Sequence, residues 1–155
     1  MTELTKHPFT EEECRTVAAL AEMVIPASEE HDVPGADDPA IVDNILKDAS
    51  RRPGMLQAAL AAVNTLARSQ HGADFADLTA VERETVTSTF RETHEGHANV
   101  VASLTVQGYY RDDRVMRSIG LDPRPPHPQG YEVEQGDWSL LNSVRQRDVF
   151  YRPGD

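Results

Sequence analysis

Basic charge is scarce in this chain: 15 Lys and Arg stand against 26 Asp and Glu, a formal net charge of −11. A nucleic-acid binder needs a basic footprint to displace counterions from phosphate, so the balance argues against that class and disfavours an anionic membrane surface. The single cysteine, Cys14, cannot form an internal disulfide, and its place in a helical pattern makes it a small core residue rather than a catalytic thiol. No apolar run approaches the roughly 20 residues needed to span a bilayer, and Met1 to Pro8 offers neither a basic n-region nor an apolar h-region. Arg51-Arg52 lies far inside the chain with no hydrophobic segment behind it, so it does not read as a twin-arginine export signal. The expected compartment is the cytoplasm, or the periplasm if a leader has been removed. Dinucleotide-binding, Walker and nucleophile-elbow motifs are missing, as are H-E-x-x-H and C-x-x-C spacings.

At 155 residues the chain fits one domain with a core large enough to need no covalent staple. Its organising stretch runs from Val24-Ile25-Pro26-Ala27-Ser28, through the acidic link Glu29-Glu30-His31-Asp32, to Val33-Pro34-Gly35-Ala36-Asp37-Asp38-Pro39-Ala40. Pro26 disfavours helix at the residue before it, so a first helix ends at Val24 or Ile25. Pro34-Gly35 is turn chemistry, and Asp38-Pro39 pairs an N-cap with a proline at the first helical position, where its missing N–H costs nothing. A second helix starts there, and the loop between becomes a shaped surface feature framed by prolines.

Local signals place the other helices. Thr10-Glu11-Glu12-Glu13 is a capping box with Phe9 as staple, followed by a stripe of Cys14, Val17, Ala18, Ala21, Val24 and Ile25. Ile41, Val42, Ile45 and Leu46 mark the second helix, which runs into Ser50-Arg51-Arg52-Pro53-Gly54. The third, Met55 to about Gln70, carries Met55, Leu56, Ala59, Leu60, Val63, Leu66 and Ala67 as its apolar residues, is alanine-rich and is closed by Gly72. Thr79 to Glu82 is a second capping box, launching a helix through Val86 and Phe90. A further helix covers about His94 to Tyr110, with Thr93 to Gly96 either a kink or a break, and Asp112 to Gly120 reads as a short helix. The sequence thus predicts an all-α single compact domain of about five to six helices over residues 1–121, with a Pro-rich and aromatic arm over residues 122–155. Pro123, Pro125, Pro126 and Pro128 make that arm extended and polyproline-like.

Two features suggest chemistry. His94 and His97, three apart, can share a helix face and supply two ligands of a metal site, though a third is not evident. The acidic cluster Glu29, Glu30, Asp32, Asp37 and Asp38 lacks the ligand alternation of a calcium loop and reads as a charged surface. The arm is more informative, because a preformed extended segment loses little entropy on docking. Trp138 alone would remove about 200 Å² from water, grossly worth about 5 kcal/mol before costs. Tyr109, Tyr110, Tyr131, Trp138, Phe150 and Tyr151 are the candidate partner-interface residues, with one of Tyr109 and Tyr110 in the core; alternatively the arm packs on the chain's own helices.

Ala21-Glu22-Met23-Val24-Ile25-Pro26-Ala27-Ser28 with Val33 to Pro39 resembles the N-terminal signature of the gluconate 2-dehydrogenase subunit 3 family. Gly108-Tyr109-Tyr110, Val115-Met116, Ile119-Gly120, Pro125-Pro126 and Gly130-Tyr131 resemble its C-terminal signature, in the right order. The resemblance implies a non-catalytic small subunit, with no cofactor of its own, that binds and stabilises a large FAD-dependent dehydrogenase or oxidase of the glucose-methanol-choline type. That partner would act on a sugar, sugar acid or glycoside, and the small subunit would help it fold, stay soluble or be exported. Many family members carry a twin-arginine leader and this chain shows none, so a cytoplasmic complex is expected. No catalytic residue carries over. Two other readings stand beside it: a stand-alone helical metal- or ligand-binding protein using His94 and His97, and a subunit that walls the partner's active-site entrance.

Overall fold

A computed structural model describes residues 7–125 and 127–148. It divides into two units, one reaching to Pro123 and the other beginning at Arg124. Six α-helices build the first: α1 Glu11–Val24, α2 Pro39–Ala49, α3 Pro53–His71, α4 Ala80–Thr93, α5 Glu95–Tyr109 and α6 Asp113–Ser118, with a 3-10 turn at Phe75–Asp77. Among the described residues there is no strand, so the expected all-α domain is the one observed. No described helix is long and apolar enough to cross a membrane.

The helix limits follow from local chemistry. Both capping boxes form: the Thr10 hydroxyl accepts from Glu13 N (3.1 Å) while Glu13 takes the Thr10 N–H (2.8 Å), and Thr79 and Glu82 repeat the exchange. Asp38 caps α2 ahead of Pro39, and Gly72 closes α3 at φ 76°. Between α4 and α5 the helix breaks at His94, whose φ of −133° and ψ of 46° leave the helical region.

α5 packs chiefly against α2 and α3, and α3 in turn against α4, while α1 touches α2, α3 and α5. Ile41, Ile45, Leu56, Leu60, Val63 and Phe90 are almost fully enclosed between them. Two buried polar groups are satisfied locally: the Thr16 hydroxyl donates to Glu12 O (3.0 Å), and Asn64 Oδ1 accepts from Phe75 N (3.0 Å), fixing the 3-10 turn to α3.

Three expectations need correction. The buried arc of α1 is turned from the predicted stripe: Thr16, Val17, Leu20 and Ala21 are enclosed, Cys14 and Ala18 are half-buried, and Val24 is exposed. Met55, read as part of the third helix's apolar face, is 51% exposed. Spacing alone fixes a stripe on a helix but not which neighbours approach it, and Val24 and Met55 stand at helix ends where few do. The arm, finally, is not extended throughout. In the second unit the Arg124 guanidinium lies 4.8 Å from the centre of the Tyr131 ring, whose hydroxyl donates to Arg124 O, and the chain turns at residues 127–129. Trp138–Leu141 then forms a 3-10 turn capped by Asp137, which accepts from Ser139 N, and Asn142–Arg145 a single turn, α7. A cation over an aromatic face and an aspartate cap supply local order that proline content did not reveal.

Candidate functional site

The proline-framed loop is a shaped element. Ser28 and Val33 exchange both backbone hydrogen bonds at 3.1 Å, and Ala36 N donates back to Ile25 O at 2.9 Å, so the loop closes where α1 ends. Asp32 turns the chain at φ 49°, in the left-handed region that aspartate tolerates better than most residues. Gly35 is needed for space: a Cβ there would fall 3.0 Å from Ala27 N and 2.3 Å from Asp37 Oδ1. Asp38 then caps α2 by accepting from Ala40 N at 2.9 Å.

The corner between α5 and α6 closes on that loop. Gly108, in the last turn of α5, lies so close to α2 that a Cβ would sit 2.5 Å from Ile45 Cγ1 and 3.1 Å from Ile45 N. That approach brings Tyr109 inside, 5% exposed, where its hydroxyl donates to Pro34 O at 3.2 Å. Burial first, then the neighbouring Tyr110 and Asp112, push the Tyr109 phenol above its ordinary pKa. Tyr110 meets it edge to face, ring centres 5.3 Å apart, and stays 49% exposed. Tyr109 is therefore a core residue, and its side chain is not available as an exposed partner anchor.

Arg114 locks the corner. Its two terminal nitrogens donate to the two Asp38 oxygens at 3.0 and 2.8 Å, and Nε and a terminal nitrogen donate to Asp112 at 2.9 Å each. Asp112 is buried and caps α6 by accepting from Arg114 N at 2.9 Å. One planar guanidinium thus joins the capping carboxylates of two helices, a geometry that lysine cannot reproduce. Its hydrogen bonds hold the Asp38 and Asp112 carboxyls below the usual aspartate range, and the two carboxylates raise the Arg114 pKa in return. The arrangement fixes surfaces; every charged group in it is committed to another.

The other sequence candidates fall elsewhere. His94 stacks between Phe90 and His97, with ring centres 5.8 and 6.0 Å away, and its Nδ1 bonds the Thr93 hydroxyl at 2.8 Å. Among the described residues no three His, Cys, Asp or Glu side chains come together to hold a metal. Of the acidic cluster, Asp38 is taken up by Arg114. Tyr131 and Trp138 belong to the second unit, 47% and 61% exposed, with Leu140 and Leu141 also exposed beside Trp138. Phe150 and Tyr151 lie outside the described residues. Sequence reasoning missed Gly108, Asp112 and Arg114 as a set, although an Asp-x-Arg spacing at a helix start and a glycine inside an apolar helix were legible signals.

The gluconate 2-dehydrogenase subunit 3 family model matches residues 11–121, from the start of α1 to just past α6. No curated protein and no solved structure matches the chain. The matched span takes in the proline-framed loop and the α5–α6 corner that closes on it, while Pro125-Pro126 and Gly130-Tyr131 of the second signature lie beyond it. The chain belongs to the gluconate 2-dehydrogenase subunit 3 family.

Proposed function

We propose that this chain is the non-catalytic small subunit of a dehydrogenase complex, binding and stabilising a larger subunit that carries FAD and oxidises an alcohol carbon of a sugar, sugar acid or glycoside. Family membership gives the class. The observation that carries the reading further is the clasp. Tyr109, Arg114 and Asp38 are spent on fixing a loop and a corner whose outer sides expose Tyr110 and Ile119. A rigid, preformed surface loses little entropy on association, which is what a stabilising subunit needs. In the second unit, Trp138 with Leu140 and Leu141 on one short turn supplies a further apolar anchor, and Tyr131 is held by Arg124.

The test is co-expression of this chain, tagged, with the larger dehydrogenase subunit of its host. A yellow eluate with flavin absorbance and the two chains at a fixed ratio is the expected result. A colourless protein that elutes alone would overturn the reading.

A further inference from the structure

A shallow groove runs between the α2–α3 junction and the outer face of α5. Ala49, Val100 and Leu104 line it with apolar surface, and Met55 stands half-exposed at its side. Its charges run against the chain as a whole. Arg51, Arg52 and Arg111 line the groove with Asp48 as their single acidic counterpart, and Asp48 is already bonded to Arg111. Arg51 and Arg52 are exposed and adjacent, and neither forms an ion pair with another described residue, in a protein of net charge −11. Among the described residues of the helical unit, every other arginine except Arg91 is ion-paired.

Gly96 adds an independent observation. It lines the groove from the first turn of α5, in helical backbone, and a Cβ there would meet nothing within 4 Å. A helix favours almost any residue over glycine, and neither backbone conformation nor packing within this chain requires one here. A glycine with open space over it suits the close approach of another backbone.

We propose that this groove seats an acidic segment of the larger dehydrogenase subunit, with carboxylates bridging Arg51 and Arg52 and an aliphatic side chain resting on Met55, Val100 and Leu104. The assignment rests on the subunit reading above and places part of that interface on residues outside the clasp. Bidentate guanidinium–carboxylate pairing supplies orientation, and the apolar floor supplies the area removed from water.

The test measures affinity of the purified larger subunit for this chain at low and high salt, using wild type, Arg51→Glu/Arg52→Glu, Gly96→Leu and Arg91→Glu, with circular dichroism to show each variant folded. The double charge reversal should weaken binding by about tenfold or more and flatten its salt dependence. Gly96→Leu should raise the unfolding temperature of the free chain while weakening the complex, opposite effects that a purely structural glycine would not produce. Arg91, which does not line the groove, should tolerate reversal. Unchanged binding by the double variant would overturn the groove assignment while leaving the complex intact. Equal loss in Arg91→Glu would overturn it as unspecific attraction. A wild-type chain that binds no larger subunit would overturn the subunit reading and this assignment together.

Discussion

Arg114 and Asp38 stand 76 residues apart in sequence and meet through two parallel hydrogen bonds of 3.0 and 2.8 Å. The same guanidinium holds the buried Asp112, so one side chain fastens the start of α2 to the start of α6. Its energetic weight is moderated by exposure, since the Arg114 side chain is 48% accessible. Replacing it with alanine should cost about 1–2 kcal/mol, above the ordinary surface pair because the geometry is bidentate and networked. Lysine should restore only part, and urea unfolding of the three proteins checks both.

The same contact sets an acid limit. Asp38 and Asp112 have folded pKa values below the usual 3.8, chiefly through hydrogen bonds from Arg114. A depressed carboxylate pKa contributes stability that is fully present above the unfolded value and is lost as pH falls through the folded one. Unfolding free energy should therefore hold with respect to this pair down to about pH 4 and decline below it. In Arg114→Ala the decline between pH 4 and pH 2.5 should be shallower, and identical slopes would remove the pair from the acid response.

Gly108→Ala should destabilise the helical unit by about 1–3 kcal/mol, as expected of overpacking against a rigid neighbour. The added methyl would meet Ile45 backbone as well as its side chain, at 3.1 and 3.3 Å from N and Cα, so a rotamer change cannot make room. Thermal unfolding measures it. A neutral result would mean that α2 and α5 separate more easily than their packing indicates.

Tyr109→Phe removes the hydroxyl that holds Pro34 O while keeping the buried ring. A cost of about 1 kcal/mol is expected for the hydrogen bond and the carbonyl left behind. Loosening should concentrate in residues 28–34, where limited proteolysis or amide exchange would report it before global unfolding.

Trp138→Ala separates docking from folding. With a side chain 61% exposed, the substitution should leave the unfolding temperature of the free chain nearly unchanged. Binding of the larger subunit should weaken by about 2 kcal/mol or more if the indole is a central anchor. An unaltered dissociation constant would remove Trp138 from the interface.

What the sequence determined by itself was local. Thr10 with Glu13, Thr79 with Glu82, Asp38 with Pro39, and Gly72 each settle a helix end within four residues of chain, because caps and backbone restrictions act over a single turn. The ordered motifs around Pro26 and Gly108 were enough to point to the family. What only the tertiary structure decided was which faces meet. Thr16 and Leu20 are enclosed and Val24 is not, Tyr109 is inside while Tyr110 is out, and Arg114 reaches Asp38. The groove lined by Arg51 and Arg52 likewise appears only when α2, α3 and α5 are assembled. Periodicity fixes a stripe on one helix. The rotation and spacing between helices depend on how closely backbones approach, set here by Gly108 against Ile45, and no stretch of contiguous sequence contains that information.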